Sequence, residues 1–437
     1  MKNNRRYKSS FALITILFFL WGFITVLVDS LIPRLKEIFT LSYFQAGLVQ
    51  FAFFGAYMIL SIPAGYLLSK IGYKRGIIVG LVTMALGCLL FYPASSLRAF
   101  GLFMLAYFTL AAGITFLQVA ANPYVTVLGP EKHASSRLNL SQAFNSLGTA
   151  VAPAIGALFI LKDKVLTISD IERLSKSARH DYYIDEAATV QIPFLGIAAF
   201  IGVIALLFCF VNLPKIGDTA SSNNYRGVLR NKNLILGAFG IFFYVGAEVS
   251  LGSYMVNYFL SLNIQEITLS TPFMVWIAEG ILNTGATSSS DMALVGVFVT
   301  FYWTGAMVGR FIGSYLTKII NPAKVLIAFA TCAIIMILLS SLMSGLLAMW
   351  AIIFVGFFNS IMFPTIFSLA LDGLGNDKPQ GSGILCTMIM GGAVIPPAFG
   401  FLTDSFGFGM AFLLVILCYA YIIFYGTRNK SNNVSII

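Results

Sequence analysis

Three charged side chains stand inside long apolar runs of this 437-residue chain: Asp29, Glu248 and Arg310. A charge in lipid is costly and marks a functional group by default. A carboxylic acid there can also exchange a proton, because burial penalises its charged form. Asp29 lies in the outer half of the first run. Glu248 lies near the middle of the seventh, sixteen residues past Lys232. Both are read as candidate coupling acids for a proton or sodium ion. Asp29 is the better placed to meet outside protons, and Glu248 to bond the hydroxyls of a substrate. Arg310 is eight residues before Lys318, so about 12 Å from that helix end at 1.5 Å per residue. Its stem can carry the guanidinium toward the surface, which suggests a gating role.

Amides form the second constellation. No Asp, Glu, Lys or Arg occurs from Ala99 to Pro130, yet "LQVAANPYV" carries Gln118 and Asn122, four apart on one helix face. Asn139, Gln142 and Asn145 in "LNLSQAFNS" are three apart and make a second face. Amides supply both donors and acceptors, the mixture that a neutral polyol such as a sugar requires. Amides also glue helices together, so each one has a structural reading beside the functional one. Asn257 and Asn359 join the candidate binding set, with Tyr244 as the aromatic flank and Glu248 as the acid. Trp21, Tyr57, Phe144, Tyr254 and Trp303 are further aromatic candidates. Pro123 removes a backbone donor and is expected to kink its helix beside the amides.

These residues need a scaffold that keeps them from water. The chain is 58% hydrophobic and only 10% charged, against about 25% charged for a soluble domain. A soluble fold could not cover so much apolar surface, and a bilayer removes the problem. Runs of about 20 apolar residues suit spanning helices, and lipid leaves only helices or closed barrels. Twelve spans are read: 11–33, 43–69, 76–94, 100–128, 138–161, 190–213, 233–261, 292–317, 323–342, 346–371, 380–402 and 408–427. "SSLMSGLL" divides the charge-free stretch from Val325 to Leu371. "MKNNRRYKSS" precedes a run too long for a signal-peptide core, which is read as a retained first helix. The fold class is all-α integral membrane.

Charge sets the orientation. With the N-terminus inside, the inner segments hold 18 Lys and Arg against 4 Asp and Glu, and the outer loops hold 8 against 11. By the positive-inside rule both termini are cytoplasmic, in a multi-pass protein of the cell inner membrane. The same rule accounts for the net charge of +10, so no nucleic-acid partner is expected. Residues 162–186 carry eleven charges of mixed sign and read as a solvated outer loop. "TPFMVWIAEGIL" in the outer segment 263–291 reads as a short helix at the membrane surface. Five cysteines without a CxxC and two distant histidines, His133 and His180, give no metal site, no cofactor and no catalytic set, so an enzyme is not expected.

The chain also repeats itself. "AGYLLSK" closes the second run and "IGSYLTK" the eighth. "GTAVAP" (Gly148–Pro153) in the fifth matches "GGAVIP" (Gly391–Pro396) in the eleventh. Two parallel six-helix halves follow, 1–213 and 233–437, joined by a cytoplasmic linker at 214–232. Paired halves with a site near mid-membrane at their interface are a recurring transporter plan. The basic loop "GYLLSKIGYKR" between the second and third runs contributes Gly65, Lys70, Gly72, Lys74 and Arg75 as gating candidates.

Twelve helices, the 6+6 repeat and "GYLLSKIGYKR" resemble the major facilitator superfamily. That loop usually carries an Asp where Ser69 stands here. "LVDSLIPRLKEIFTLSYFQAGLVQFAFFGAY", "QVAANPYVTVLGPE", "RLNLSQAFNSLG" and "FPTIFSLAL" resemble the fucose:proton symporter family within it. "QVAANP" with "YVGAEVSLGSYMVNY" looks like its glucose/galactose branch, in which an acid at the position of Glu248 is typical. The fucose carriers have Glu where Gln118 stands, so their second acid is not carried over. The resemblance implies that Asp29 matches a proton-coupling acid and Gln142 a sugar-binding amide. It implies a monomeric secondary active transporter that imports a neutral hexose with a cation by alternating access. Carriage of fucose or N-acetylglucosamine is the neighbouring reading, and a proton-coupled drug antiporter, with a greasier cavity, is the rival.

Overall fold

A computed structural model describes residues 2–29, 43–160, 175–211, 213–214, 225–282, 285–286 and 289–430. Among the described residues there is no strand. Twelve long helical segments carry the described residues: α1 Lys2–Asp29, α2 Tyr43–Ile71, α3 Tyr73–Ser96, α4 Phe100–Val127, α5 Ala134–Ile160, α6 Lys176–Phe210, α7 Lys232–Ser261, α8 Asp291–Ile319, α9 Pro322–Leu342, α10 Gly345–Ala370, α11 Lys378–Phe406 and α12 Phe408–Lys430. Eleven of them are apolar and long enough to cross a membrane among the described residues. The twelfth, α5, is 27 residues long, and the side chains of its last seven residues, 154–160, lie outside the described residues.

Local chemistry sets the boundaries. Ser290 and Asn231 cap α8 and α7 by accepting from the Ala293 and Leu234 amides, and Asn321 caps α9 ahead of Pro322. The end of α4 is closed from a distance. The Arg137 guanidinium donates to the carbonyls of Val125 (3.1 Å), Thr126 (2.6 Å) and Pro130 (2.8 Å), satisfying acceptors that a helix end leaves open.

Four expectations change. The first helix begins at Lys2, through the basic N-terminal residues, and residues 30–33 lie outside the described residues. Residues 176–186, read as loop, are helical, because Ser175 caps a turn at Ala178 and good helix formers carry it on into the sixth span. Residues 162–174 lie outside the described residues. The tenth run breaks into Gly345–Asn359 and Met362–Ala370. The eleventh breaks into Lys378–Thr387 and Gly391–Phe406 around a 3-10 turn at Met388–Met390. Apolar runs show where lipid can be crossed but not where the helix bends inside it. The division at "SSLMSGLL" holds, with α9 ending at Leu342 and α10 starting at Gly345. The short helix in 263–291 is Pro272–Leu282, preceded by Ile264–Ser270.

The chain forms two compact units. The first comprises Met1–Tyr124, Phe144–Asn223 and Gly375–Thr387. In it α3 packs on α6, and Lys378–Thr387 packs on α2. A Cβ on Gly383 would meet the Ser61 carbonyl oxygen at 2.6 Å, and Ser382 Oγ donates to the Val119 carbonyl at 2.8 Å. The second comprises Val125–Ala143, Asn224–Leu374 and Met388–Ile437. There the start of α5 is held by a reciprocal pair: Ser136 Oγ donates to the Ser314 carbonyl (2.7 Å) and Ser314 Oγ to the Ser136 carbonyl (2.9 Å). Asn139 Nδ2 adds a bond to Thr365 Oγ1 at 3.2 Å.

Candidate functional site

In the second unit the polar residues converge on Glu248. α7 runs unbroken past it, so Tyr244 sits one turn below and its hydroxyl donates to Glu248 Oε1 at 2.6 Å. Tyr244 is buried and Glu248 half-buried. The Arg310 guanidinium on α8 acts electrostatically on Glu248, Tyr244 and Tyr302. Arg310 Nε donates to the Ser360 carbonyl at 3.1 Å. Ser360 lies in the break of α10, where helix geometry leaves a carbonyl to be satisfied. Arg310 therefore bonds the break of α10 within electrostatic reach of the acid, rather than standing alone near a helix end. This arrangement holds an acid beside a phenol and a cation in an apolar body, which suits recognition of hydroxyls and exchange of a proton.

Asn359, expected to bind substrate, is fully buried and committed elsewhere. Its Nδ2 donates to Tyr302 Oη (2.7 Å) and its Oδ1 accepts from Tyr419 Oη (2.6 Å). It ties α8, α10 and α12 together, the glue that buried amides supply in membranes. Nothing in the sequence singles out Tyr302 or Tyr419, since a lone Tyr in an apolar run gives no sign of its partner. Asn257 is exposed and lies nine residues past Glu248, half a revolution round the helix at 100° per residue. The structure does not bring it to the acid.

In the first unit Gln118 Nε2 donates to Tyr57 Oη at 2.5 Å, linking α4 to α2. Asn122 is fully buried on the same helix. Asn145 Nδ2 donates to the Phe18 carbonyl of α1 at 2.9 Å, so this amide is spent on a helix seam. Gln142, which falls to the second unit with the start of α5, is 6% exposed. Asp29 is the last residue of α1, and its side chain lies outside the described residues. Pro123 lies inside α4, which continues to Val127.

The gating candidates other than Arg310 occupy the α2–α3 corner. Gly65 is buried and packs near Gly383. Gly72 turns the chain at φ 79°, a left-handed conformation that glycine adopts freely. Lys70 Nζ lies 4.2 Å from the Tyr66 ring centroid. Lys74 Nζ donates to the Cys209 carbonyl at the end of α6 (2.8 Å), and Arg75 is exposed. Ser69, standing where the resembling loop has Asp, donates to the Tyr66 carbonyl of its own helix. Among the described residues no group of three His, Cys, Asp or Glu comes together to hold a metal ion.

Residues 11–389 match the family model for the Major Facilitator Superfamily. The chain is 47% identical over 428 residues to a "Glucose/galactose transporter" of Brucella abortus biovar 1 (strain 9-941), covering 97% of this chain and 95% of that one. It is 36% identical over 442 residues to the "L-fucose-proton symporter" of Escherichia coli (strain K12), covering 98% and 94%. The crystal structure of the transporter FucP in the outward conformation superposes with a TM-score of 0.85 at 33% identity, over 97% of this chain and 99% of that one. A chain without strands among its described residues, with polar groups set in apolar spans and transporters matching it over nearly its whole length, belongs to the Major Facilitator Superfamily.

Proposed function

We propose that this chain is a secondary active transporter that carries a neutral hexose of the glucose or galactose type into the cell in symport with a proton. The observation that carries the reading is the half-buried Glu248 with its Tyr244 partner, in a chain whose 47% and 36% identical relatives are a glucose/galactose transporter and a fucose-proton symporter. An acid that accepts a hydrogen bond from a hydroxyl when ionised and holds a proton when neutral serves either part of that work. Gln118 and Gln142 offer donors and acceptors to the sugar, while Asp29 and Glu248 are the acids available for coupling. Gly65, Lys70, Gly72, Lys74, Arg75 and Arg310 serve the gates. Residues 1–213 and 233–437 act as the two halves, 214–232 links them in the cytoplasm, both termini are cytoplasmic, and the protein works in the inner membrane as a monomer.

Uptake of a labelled sugar panel into proteoliposomes, with pH and sodium gradients imposed separately, tests this. Glucose or galactose should accumulate when the pH gradient is directed inward. Accumulation driven by sodium alone would replace the proton in the reading. Uptake of fucose with neither hexose would replace the substrate.

A further inference from the structure

The face of the first unit formed by α3 and α6 carries a groove whose apolar lining the transport reading leaves unused. It encloses about 300 Å³ and is lined by Ile78, Val82 and Leu86 of α3 and by Gly202, Ala205 and Cys209 of α6. The α3 residues recur every fourth position and the α6 residues at intervals of three and four, so each set forms one stripe along its helix. The groove therefore runs along the spans, about 12 Å from Ile78 to Leu86 at 1.5 Å per residue. Both helices are among those apolar enough to cross a membrane. Val82 and Leu86 are half exposed, and a Cβ added at Gly202 would meet nothing within 4 Å. The hollow is thus open sideways, toward the region occupied by lipid.

One end of this groove is basic. Cys209 closes the lining, and its carbonyl accepts from Lys74 Nζ. That bond uses one of the three donors of the ammonium. Arg75, the next residue in the chain, is exposed. An apolar trough as long as part of an acyl chain, ending at a Lys–Arg pair, matches an amphiphile with an anionic head. A second copy of the chain would bring the same two cations against this surface and has no such charge match.

We propose that the α3–α6 groove binds one anionic glycerophospholipid of the surrounding bilayer, with an acyl chain along Ile78–Leu86 and the phosphate on Lys74 and Arg75. Cys209 is the natural reporter. It is exposed, whereas Cys88, Cys386 and Cys418 are buried and Cys332 is partly so.

The full-length protein in detergent is titrated with phosphatidylglycerol or phosphatidylcholine, and the rate of Cys209 labelling by a maleimide is followed. Phosphatidylglycerol should protect at a concentration roughly thirtyfold lower than phosphatidylcholine, the factor expected for two cations near an anionic head. Lys74→Gln with Arg75→Gln should bring the two curves together. Arg75→Gln alone leaves the Lys74 bond in place and should reduce the preference in part. Gly202→Leu, which fills the trough, should remove protection by either lipid while the thermal midpoint is kept. Equal protection of the wild type by both lipids would reduce the groove to ordinary lipid contact and overturn the site. So would a lack of protection by either lipid, or oxidative Cys209–Cys209 cross-linking that lipid does not suppress, which would make the face a contact between copies.

Discussion

The seam between α1 and α5 and the seam between α7 and α11 are built alike at the backbone and differently in chemistry. In the first unit a Cβ on Gly148 would overlap the Phe19 carbonyl oxygen. In the second, a Cβ on Gly391 would overlap the Phe242 carbonyl oxygen. These glycines head the matching strings "GTAVAP" and "GGAVIP", 243 residues apart. The same spacing sets Gln142 against Leu385 and Asn145 against Met388. One copy thus carries amides, and Asn145 bonds across to α1. The other carries apolar residues there, passes through a 3-10 turn at Met388–Met390, and keeps its polarity on α7 as Tyr244 and Glu248. Positions where two backbones touch tolerate only glycine and so keep the repeat visible. Positions that line polar space can diverge, because a neighbouring helix can supply the missing group.

The division of labour proposed for the two acids gives the largest expected effect. Asp29→Asn in the first copy should abolish accumulation of sugar against its gradient while leaving exchange of labelled for unlabelled sugar. Full gradient-driven uptake by that variant would remove Asp29 from coupling and leave Glu248 alone.

Glu248→Gln in the second copy should instead weaken sugar binding itself. Loss of a hydrogen bond to a charged group costs about 1.5–3 kcal/mol, which is roughly 10- to 150-fold in affinity. Isothermal titration or tryptophan quenching reads it directly. Unchanged affinity together with lost accumulation would exchange the roles of the two acids.

The shared backbone design predicts parity where the chemistry predicts contrast. Gly148→Val and Gly391→Val should each destabilise the protein by about 1–3 kcal/mol, since both push a side chain into a carbonyl of the facing helix. Thermal midpoints in detergent should fall together. A large fall for one and none for the other would show that the two seams are not equivalent.

The smallest effect concerns the approaches to α5 and α11. His133 in the turn before α5 has Asn376 as its counterpart before α11. Burial lowers the pKa of His133, and the cations Lys132, Arg137 and Lys318 lower it further. The unfolded chain then binds the proton more tightly than the native one. The contribution to stability is present above about pH 6.5, the unperturbed value, and shrinks as pH falls below it. His133→Asn should flatten that slope slightly in melts followed from pH 7.5 to 5.5. An unchanged slope would mean that the imidazole does not titrate differently in the folded state.

Much of this molecule was legible in one dimension. Lipid imposes length and apolarity on every span, so counting apolar residues located the long helices, and "SSLMSGLL" marked the α9–α10 turn. Glu248 and Arg310 stood out because a charge in an apolar run is rare for a physical reason. The repeat was readable because close backbone contact admits no side chain. Other features depended on neighbours far away in sequence. Asn359 looked like a ligand for sugar until Tyr302 and Tyr419 took both ends of its amide. Arg310 looked like a helix-end cation until α10 broke at Ser360 and offered a carbonyl. Asn257 shares a helix with Glu248 but not a face. The exchange of Val125–Ala143 and Gly375–Thr387 between the compact units, held by hydroxyls such as Ser136 and Ser382, left no mark in hydropathy at all. Sequence alone determined what lipid requires of every span, because that requirement is local and composition satisfies it. Only the tertiary structure decided which polar groups are free for chemistry and which are spent on the fold, because a hydrogen bond needs a partner and the partner is chosen by packing.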